Sequence, residues 1–284
     1  MAFEKGQRVR HPARPDWGIG QVLDDAVDGS VRVFFVGAGE KAISLSHVAL
    51  VRAHGADAAH PLLDNLPALG ASPGNDYRSL PASIATFLRR YPGGFYGAKF
   101  MDEERSYKVT AHERCTELLS KPRLRRLLAA RAYDDATRDA LRVVNATNLI
   151  FPNEKMSLRD GLTSTQRQQQ FSDALYLLLH DDGSLESRFV NFARVLGDIQ
   201  AKKWTIATYY QFLYDPQNYM FLKPVATQNA ARLCAFEIHY KADLNWRTYD
   251  RVQAFARYLR DEIRELKPRD MIDVQSFMWT VRRA

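Results

Sequence analysis

The chain has 284 residues, of which 46% are hydrophobic and 26% are charged. Its formal net charge is +7, and its two cysteines, Cys115 and Cys234, lie far apart in the sequence. This composition is typical of a globular cytoplasmic protein, and it excludes a membrane-spanning chain, a disulfide framework and a cysteine metal site, so we expect no metal and no cofactor. The positive charge favours an anionic partner over the alternative that the charge serves solubility alone. We expect this partner to be nucleic acid, with DNA favoured over RNA.

The charge is unevenly distributed and divides the chain into three segments. Residues 1–52 have seven Lys or Arg and six Asp or Glu, giving +1, and residues 53–76 have three Asp and no base, giving −3. Residues 77–284 have 33 bases and 24 acids, giving +9. The middle segment is rich in Ala, Gly and Pro, which is typical of a linker. We therefore predict a domain at 1–52, a linker at 53–76 with the boundary near residue 70, and a second domain at 77–284.

The first segment has the pattern of a small all-β barrel. Short β-branched runs, such as the one at 30–36, alternate with Gly, Pro and Asp at a spacing of about ten residues. Gly18 and Gly20 flank Ile19, where a sharp bend suits residues that lack a Cβ.

The second domain is predicted to be all-α. From Leu80 onward, apolar residues recur at spacings of three and four, and strand-like alternation is scarce. We predict roughly eight to ten helices, with a break at 151–153. The predicted helices span 81–90, 104–120, 124–131, 134–144, 166–179, 186–199, 204–213, 227–240, 248–266 and 269–281.

Two stretches of the first domain, GQRVRHPARPDWGIGQVL at 6–23 and VRVFFVGAGEKAISLSHVALV at 31–51, resemble the small SH3-like or Tudor-like modules of CarD-like bacterial proteins. They are also similar to a module of unknown function that is appended to some bacterial helicases. An insert at 13–17 lengthens the first loop relative to that pattern. The resemblance implies an SH3-like barrel that docks on a polymerase, a helicase or nucleic acid and carries no chemistry.

The helical domain has none of the common catalytic signatures, so its candidate sites are clusters of charged and aromatic residues. The first cluster has Lys99, Arg105, Lys108 and His112. Arg105, Lys108 and His112 share one face of a helix, because residues three and four apart are neighbours. This face is interpreted either as a contact for a nucleic-acid phosphate or as a solvated charged surface.

The second cluster is the basic run from Lys121 to Arg131, which includes Arg123, Arg125 and Arg126. It lies on a predicted helix whose leucines face inward. The exposed face either contacts the phosphates of a nucleic acid or is an ordinary solvated surface.

The third cluster combines lysines with aromatic residues between positions 202 and 224. Lys203 and Trp204 are predicted to hold a phosphate and to stack on a base, while such aromatic residues are also typical of a core. Lys223 lies between Leu222 and Pro224 in an apolar turn. Its side chain either reaches water or serves a site, where burial would make it a usable nucleophile or base.

The fourth cluster is in the unusually apolar segment at 268–279, which contains Asp273, Gln275 and Trp279. A carboxylate in apolar surroundings needs a partner, such as an Arg or Lys from another helix. Two interpretations stay open. Asp273 is an acid/base catalyst, with Gln275 and Trp279 shaping a pocket that reads a base, or these residues form a buried polar network that fixes the register of the helices.

Three stretches of the second domain, NYMFLKPVAT at 218–227, LNWRTYD at 244–250 and PRDMIDVQSFMW at 268–279, resemble an uncharacterised helical domain of bacterial genome-defence and mobile-element proteins. An all-helical body with an acidic residue and basic residues is also similar in outline to helical DNA glycosylase-like proteins. Neither resemblance implies an established activity for this chain.

Three hypotheses about function follow. The leading one is a nucleic-acid-associated bacterial protein whose barrel docks on its target and whose helical domain binds DNA or RNA. The second is an enzyme that acts on a base or nucleotide through Asp273 and Lys223, which requires both side chains to reach one pocket. The third is a protein-interaction adaptor without catalysis.

Overall fold

The computed structural model describes residues 3–60, 63, 80–234 and 236–281. Among these residues, the chain begins with a small antiparallel sheet whose strands are arranged in the order β4-β3-β2-β1-β5. The strands are β1 Arg8–Arg10, β2 Ile19–Val22, β3 Ser30–Phe35, β4 Gly39–Ser44 and β5 Val51–Arg52. The predicted order of a small all-β module followed by a larger all-α part is confirmed.

The core of the sheet follows from the alternation of side chains along β3. Val31, Val33 and Phe35 lie on one face and are buried together with Val9. Gly20 pairs with Phe35 across β2 and β3, and a Cβ at position 20 would lie only 2.7 Å from the Phe35 ring. The close approach of this ring therefore requires glycine at position 20.

Contacts between residues divide the chain into two units, and the first unit is discontinuous in sequence. It comprises Met1–Ile84, Asn229–Ile238 and Ala284. Within this unit, the Glu237 amide donates a hydrogen bond to the Val36 carbonyl at 3.3 Å. A short segment from the C-terminal half of the chain thus belongs with the sheet, which the sequence did not indicate.

The predicted linker at 53–76 and the boundary near residue 70 lie largely outside the described residues. Leu63, within the predicted linker, is fully buried and packs in one cluster with Ile19, Phe34 and Val36 of the sheet.

The described residues after the sheet form eleven helices of nine residues or more. They are α1 Leu80–Arg90, α2 Ser106–Leu118, α3 Lys121–Ala129, α4 Tyr133–Asn145, α5 Pro152–Gly161, α6 Thr165–His180, α7 Leu185–Asp198, α8 Trp204–Tyr214, α9 Pro224–Leu233, α10 Trp246–Glu262 and α11 Met271–Val281. None of these helices is long and apolar enough to cross a membrane.

The second unit, Ala85–Gln228 with His239–Arg283, is built around α8. All residues of α8 from Trp204 to Leu213 are buried, and the helix contacts α2, α6 and α7. A helix that is apolar on every side is stable only when other helices surround it. The central position of α8 explains why its aromatic residues form a core.

Helix α5 was not predicted, and it begins inside the break predicted at 151–153. Pro152 is the first residue of the helix, a position where proline lacks only an N–H that has no partner inside the helix. The Glu154 carboxylate accepts a hydrogen bond from the Phe151 amide at 3.1 Å, which stabilises the same end. The proline therefore marks the start of a helix and not an interruption.

The helix predicted at 227–240 was wrong at both ends. Helix α9 begins at Pro224 and ends at Leu233, and residues 236–240 are not helical. The contact of Glu237 with the sheet uses a backbone N–H that a longer helix would have kept for itself.

Candidate functional site

The chain that leads into α2 contains a π-helical turn. One α-helical turn at Ala98–Phe100 widens into a π-helix at Met101–Arg105 and continues as α2. Such turns occur often at functional sites, because the wider turn changes the direction of the side chains that follow. Glu104 and Arg105 are the buried residues of this turn. Two charged side chains therefore enter the interior of the second unit.

Arg105 meets two carboxylates at the beginning of α11. Its Nη1 and Nη2 donate to Asp270 Oδ1 and Oδ2 at 2.8 and 2.7 Å, and Nη1 also donates to Asp273 Oδ1 at 2.8 Å. Burial opposes the charge of the guanidinium, but the hydrogen bonds to Asp270 and the charge of Asp273 raise its pKa. The bidentate pair is a strong, geometrically specific contact.

Asp273 is fully buried, and both of its oxygens are occupied. Arg269 donates to Oδ2 from its backbone amide at 2.9 Å and from Nε at 2.8 Å, and to Oδ1 from Nη2 at 3.1 Å. With the bond from Arg105, four donors converge on this carboxylate. These contacts support the interpretation of Asp273 as part of a buried polar network, because its oxygens are directed at the fold and not at a ligand.

Lys108 is almost completely buried beside the same helix. Its Nζ donates to Glu104 Oε2 at 3.0 Å, to Gln275 Oε1 at 2.8 Å and to Ser276 Oγ at 2.7 Å. Burial lowers the pKa of this ammonium, an effect that the charge of Glu104 opposes. An ammonium has three N–H donors, and all three are used here, so none remains for a phosphate. Gln275 is likewise buried and serves as an acceptor inside the fold.

The network joins the first and fourth sequence clusters, and its formal charges cancel. Its three positive and three negative members are Arg105, Lys108 and Arg269, and Glu104, Asp270 and Asp273. The excess of positive charge in the second domain must therefore lie elsewhere.

Lys223 is held between two aromatic rings. Its Nζ lies 4.5 Å from the centroids of both Phe151 and Trp279 and donates to the Leu149 carbonyl at 3.1 Å. Cation–π contacts of this kind stabilise a partly buried ammonium. These partners differ from the arginines that surround Asp273, so the contacts of the two residues do not support their convergence on one ligand.

Lys203 and Trp204 are adjacent in sequence but differ in environment. Trp204 is 3% exposed, its Nε1 donates to the Lys241 carbonyl at 2.8 Å, and its ring stacks on Phe189. The ring is therefore part of the core of the second unit. Lys203 is exposed to solvent.

An open basic groove runs along α3. Lys121, Pro122, Arg125, Arg126 and Ala129 line it, and its volume is ≈ 580 Å³. The side chains of Arg125 and Arg126 are exposed, and within the described part of the chain neither one has an ion pair or a hydrogen bond. Their charges are thus available to a partner.

Arg123, on the same helix, has a different environment. Its Nε and Nη2 donate to Asp139 Oδ2 at 2.8 and 2.7 Å, and Arg142 reaches the other oxygen of this carboxylate at 3.3 Å. The Asp139 side chain is only 3% exposed. Arg123 therefore connects α3 to α4, and unlike Arg125 and Arg126 it is already paired, as is Arg105.

A cleft of ≈ 460 Å³ lies where the end of α8 and the beginning of α11 meet α2. His112, Tyr214 and Asp215 line it, with the Arg105–Asp270 pair also contributing to its wall. The helical spacing predicts His112 beside Arg105, but no sequence pattern connects either residue with positions 214–217. Only the packing of α8 on α2 brings them together.

Several residues of these sites were not predicted from the sequence, although the pattern around one of them contains a signal. Asp139 lies on the apolar face that Ala136, Ala140 and Val143 form at spacings of three and four along α4. A carboxylate on such a face needs a cationic partner. Glu104 and Arg269 had no comparable signal. No group of three or more His, Cys, Asp or Glu among the described residues is placed to hold a metal ion.

Comparison with protein families gives a match to part of the chain. Residues 3–53 match a family model described as "Protein of unknown function (DUF3553)". This match contains all five strands of the sheet and does not reach the helices. Neither the curated proteins nor the solved structures contain a match to the chain. The helical unit is therefore interpreted from its own geometry.

Proposed function

We propose that this chain is a cytoplasmic, nucleic-acid-associated bacterial protein whose helical unit binds the phosphate backbone of DNA or RNA along α3. The observation that carries the proposal is the basic groove, in which Arg125 and Arg126 are exposed and lack an acidic partner within the described residues. Arginine is well suited to phosphate recognition because its planar guanidinium donates two parallel hydrogen bonds.

The local charge supports the same conclusion. Residues 119–132 contain five Lys or Arg and no Asp or Glu. Helix α3 packs on α4 and α6, and the Arg123–Asp139 pair fixes it further, so the free cations lie on a rigid support. A rigid cluster of one sign attracts a polyanion over a distance of about one Debye length, roughly 8–10 Å at physiological salt.

The sheet module is assigned a docking role in this proposal. Its resemblance to SH3-like, CarD-like and Tudor-like modules supports a contact with a polymerase or a helicase. Its segment carries only +1 of the formal charge, which suits a protein contact better than a phosphate contact. The resemblance of the helical body to defence-associated domains supports a function beside DNA in genome defence.

The enzyme hypothesis has less support. Asp273 is enclosed by four donors, and the Lys223 ammonium is held by two rings and a carbonyl. A general acid or base needs a side chain within hydrogen-bond reach of the substrate.

Fluorescence anisotropy with a labelled single strand and a labelled duplex tests the proposal. At low salt we expect binding that weakens as the salt concentration rises. In a plot of the logarithm of the binding constant against the logarithm of the salt concentration, the slope should become shallower by about 0.7 for each phosphate contact to a single strand that is removed. The double variant Arg125→Glu/Arg126→Glu should weaken binding by about tenfold or more.

The matched control is Arg257→Glu/Arg264→Glu, which changes the net charge equally at exposed positions outside the groove. It should reduce binding much less than the groove variant. An absence of binding at low salt would refute the proposal, and an equal loss in the two double variants would show that the groove is not the site.

A further inference from the structure

The cleft between α2 and the end of α8 has hydrogen-bond acceptors that the fold leaves unused. His112 Nδ1 lies 2.6 Å from the Leu213 carbonyl. A carbonyl only accepts hydrogen bonds, so Nδ1 carries the proton and donates it. In the neutral ring Nε2 is then an acceptor, and it has no partner within the described residues.

Asp215 adds a second acceptor to the same cleft. Its Oδ2 accepts a hydrogen bond from Asn218 Nδ2 at 2.8 Å, while Oδ1 has no partner in the described part of the chain. The guanidinium of Arg105, by contrast, is already occupied by Asp270 and Asp273. His112 Nε2 and Asp215 Oδ1 only accept hydrogen bonds, so they call for a ligand that donates. The Gln217 amide and the Tyr214 hydroxyl, in the same lining, can donate or accept.

An aromatic ring completes the lining. Tyr214 lines the cleft together with Asp215. Unpaired bases in single strands stack on such side chains and expose their hydrogen-bonding edges to neighbouring polar groups. A cleft of ≈ 460 Å³ has room for one base.

The cleft is also next to the basic groove. The Tyr214 ring packs edge-on against His180, with 5.1 Å between their centroids. The His180 carbonyl accepts a hydrogen bond from Lys121 Nζ at 3.2 Å, and Lys121 lines the groove on α3. His180 therefore contacts one residue of the cleft and one residue of the basic groove. A nucleic-acid strand whose phosphates lie along α3 thus has the cleft beside it.

We infer that the cleft receives one unstacked base of a single strand, and that it prefers a base with an exocyclic amino group. The inference rests on the proposed binding of phosphates along α3. The two hydrogens of the amino group are donated to His112 Nε2 and Asp215 Oδ1. Uracil presents a carbonyl oxygen where cytosine presents its amino group, so this oxygen would face two acceptors, and the neighbouring N3–H of uracil could donate to only one of them.

Labelled oligo-dC and oligo-dU strands of about 12 nucleotides, compared at one salt concentration and neutral pH, test this inference. The two bases have nearly the same size, and they differ in the group at position 4 and at N3, which carries a hydrogen in uracil only. We expect the wild-type protein to bind oligo-dC about tenfold more tightly than oligo-dU.

Three variants locate the preference. His112→Asn keeps an N–H near the position of Nδ1 for the Leu213 carbonyl and removes Nε2, and Asp215→Asn replaces the free carboxylate oxygen by an amide. Both should reduce the preference to about twofold or less. His112→Gln, whose amide reaches the position of Nε2, should restore part of it. The control Glu113→Gln, at the next, exposed position of α2, should leave it unchanged.

The possible outcomes distinguish the base pocket from the binding of phosphates along α3. Equal binding of oligo-dC and oligo-dU, with both lost in Arg125→Glu/Arg126→Glu, would overturn the base pocket and leave the groove in place. A preference that survives in a folded His112→Asn variant would also overturn it. An absence of binding by either strand would overturn the base pocket, and the labelled duplex would then decide whether α3 binds phosphates. Circular dichroism establishes that each variant is folded.

Discussion

Arg105 donates from Nη1 and Nη2 to the two carboxylate oxygens of Asp270, at 2.8 and 2.7 Å, across 165 residues of the chain. The pair connects the π-helical turn before α2 to the residue that immediately precedes α11. Both side chains are at most 10% exposed. The relative position of these two helices therefore depends on a buried contact between opposite charges.

Removal of one partner of this contact should strongly destabilise the protein. We expect Arg105→Met to lower the free energy of unfolding by about 3–5 kcal/mol, because Asp270 would remain buried without its cation. The control is Arg138→Met, which removes exposed pairs with Asp134 and Asp135 and should cost less than about 1 kcal/mol. Urea denaturation measures both values. Similar losses in the two variants would contradict the prediction.

Two neighbouring arginines of α3 should separate stability from binding. Arg123→Ala removes the main partner of a buried carboxylate, and we expect a loss of about 1–2 kcal/mol, moderated by the partial exposure of Arg123 and by Arg142. Arg125→Ala should change stability by less than about 0.5 kcal/mol and weaken nucleic-acid binding. Thermal denaturation and anisotropy on both variants make the comparison, and a reversed pattern would count against it.

Two helical glycines should respond to alanine in opposite directions. A Cβ at Gly161 would collide with the backbone carbonyl of Ile199, which cannot move like a side chain. A Cβ at Gly197 would meet only the Lys202 side chain, at 3.7 Å. We expect Gly161→Ala to destabilise the protein by about 1–3 kcal/mol and Gly197→Ala to stabilise it by about 0.4–1 kcal/mol. A melting temperature that rises in both variants would disprove the steric argument.

The buried tyrosines predict a loss of stability in alkali. Burial raises the pKa of Tyr209, Tyr210 and Tyr249 above the usual value of 10.0. For each of these tyrosines the pKa in the folded state exceeds the pKa in the unfolded state. Their contribution to the free energy of unfolding is therefore fully present below pH 10.0 and is lost as the pH rises through the folded-state pKa values. Urea denaturation between about pH 8 and pH 11 should show this decline.

Tyr249→Phe provides a direct check on the alkaline effect, because the Tyr249 hydroxyl has only a long contact with Gln211, at 3.4 Å. The variant should unfold with a smaller dependence on pH than the wild type. Tyrosinate absorbance should also appear at higher pH in the folded protein than in urea. Coincident titrations in the two states would rule out the assumed shift.

The fold class was predictable because its signals are local. The β-branched runs of the first module and the three- and four-residue spacing of the helices are determined by neighbours in sequence. Helix α9 shows where this reasoning fails. Its sequence continues with helix-forming residues, but the Glu237 amide is used by Val36, and such a long-range contact leaves no periodic signal.

The candidate sites were predictable only in part, for the same reason. The sequence indicated that Asp273 needs a cation from another helix, and Arg105 supplies it. It did not indicate which cation, because the two residues lie 168 positions apart. Likewise, Arg123 and Arg125 are equivalent in the sequence pattern, and only the position of Asp139 on α4 distinguishes them.

The π-helical turn at Met101–Arg105 has a consequence for the comparison of related sequences. Removing one residue from it would rotate the preceding segment, Ala98–Phe100, relative to α2 by roughly 100°. Phe100 is fully buried against Phe87, Tyr91 and Phe95, so a relative with a one-residue deletion here should also differ at the positions of these aromatic residues. The length of this turn and the identity of the aromatic residues should change together, so an alignment gap of one residue would mark a rearranged aromatic cluster.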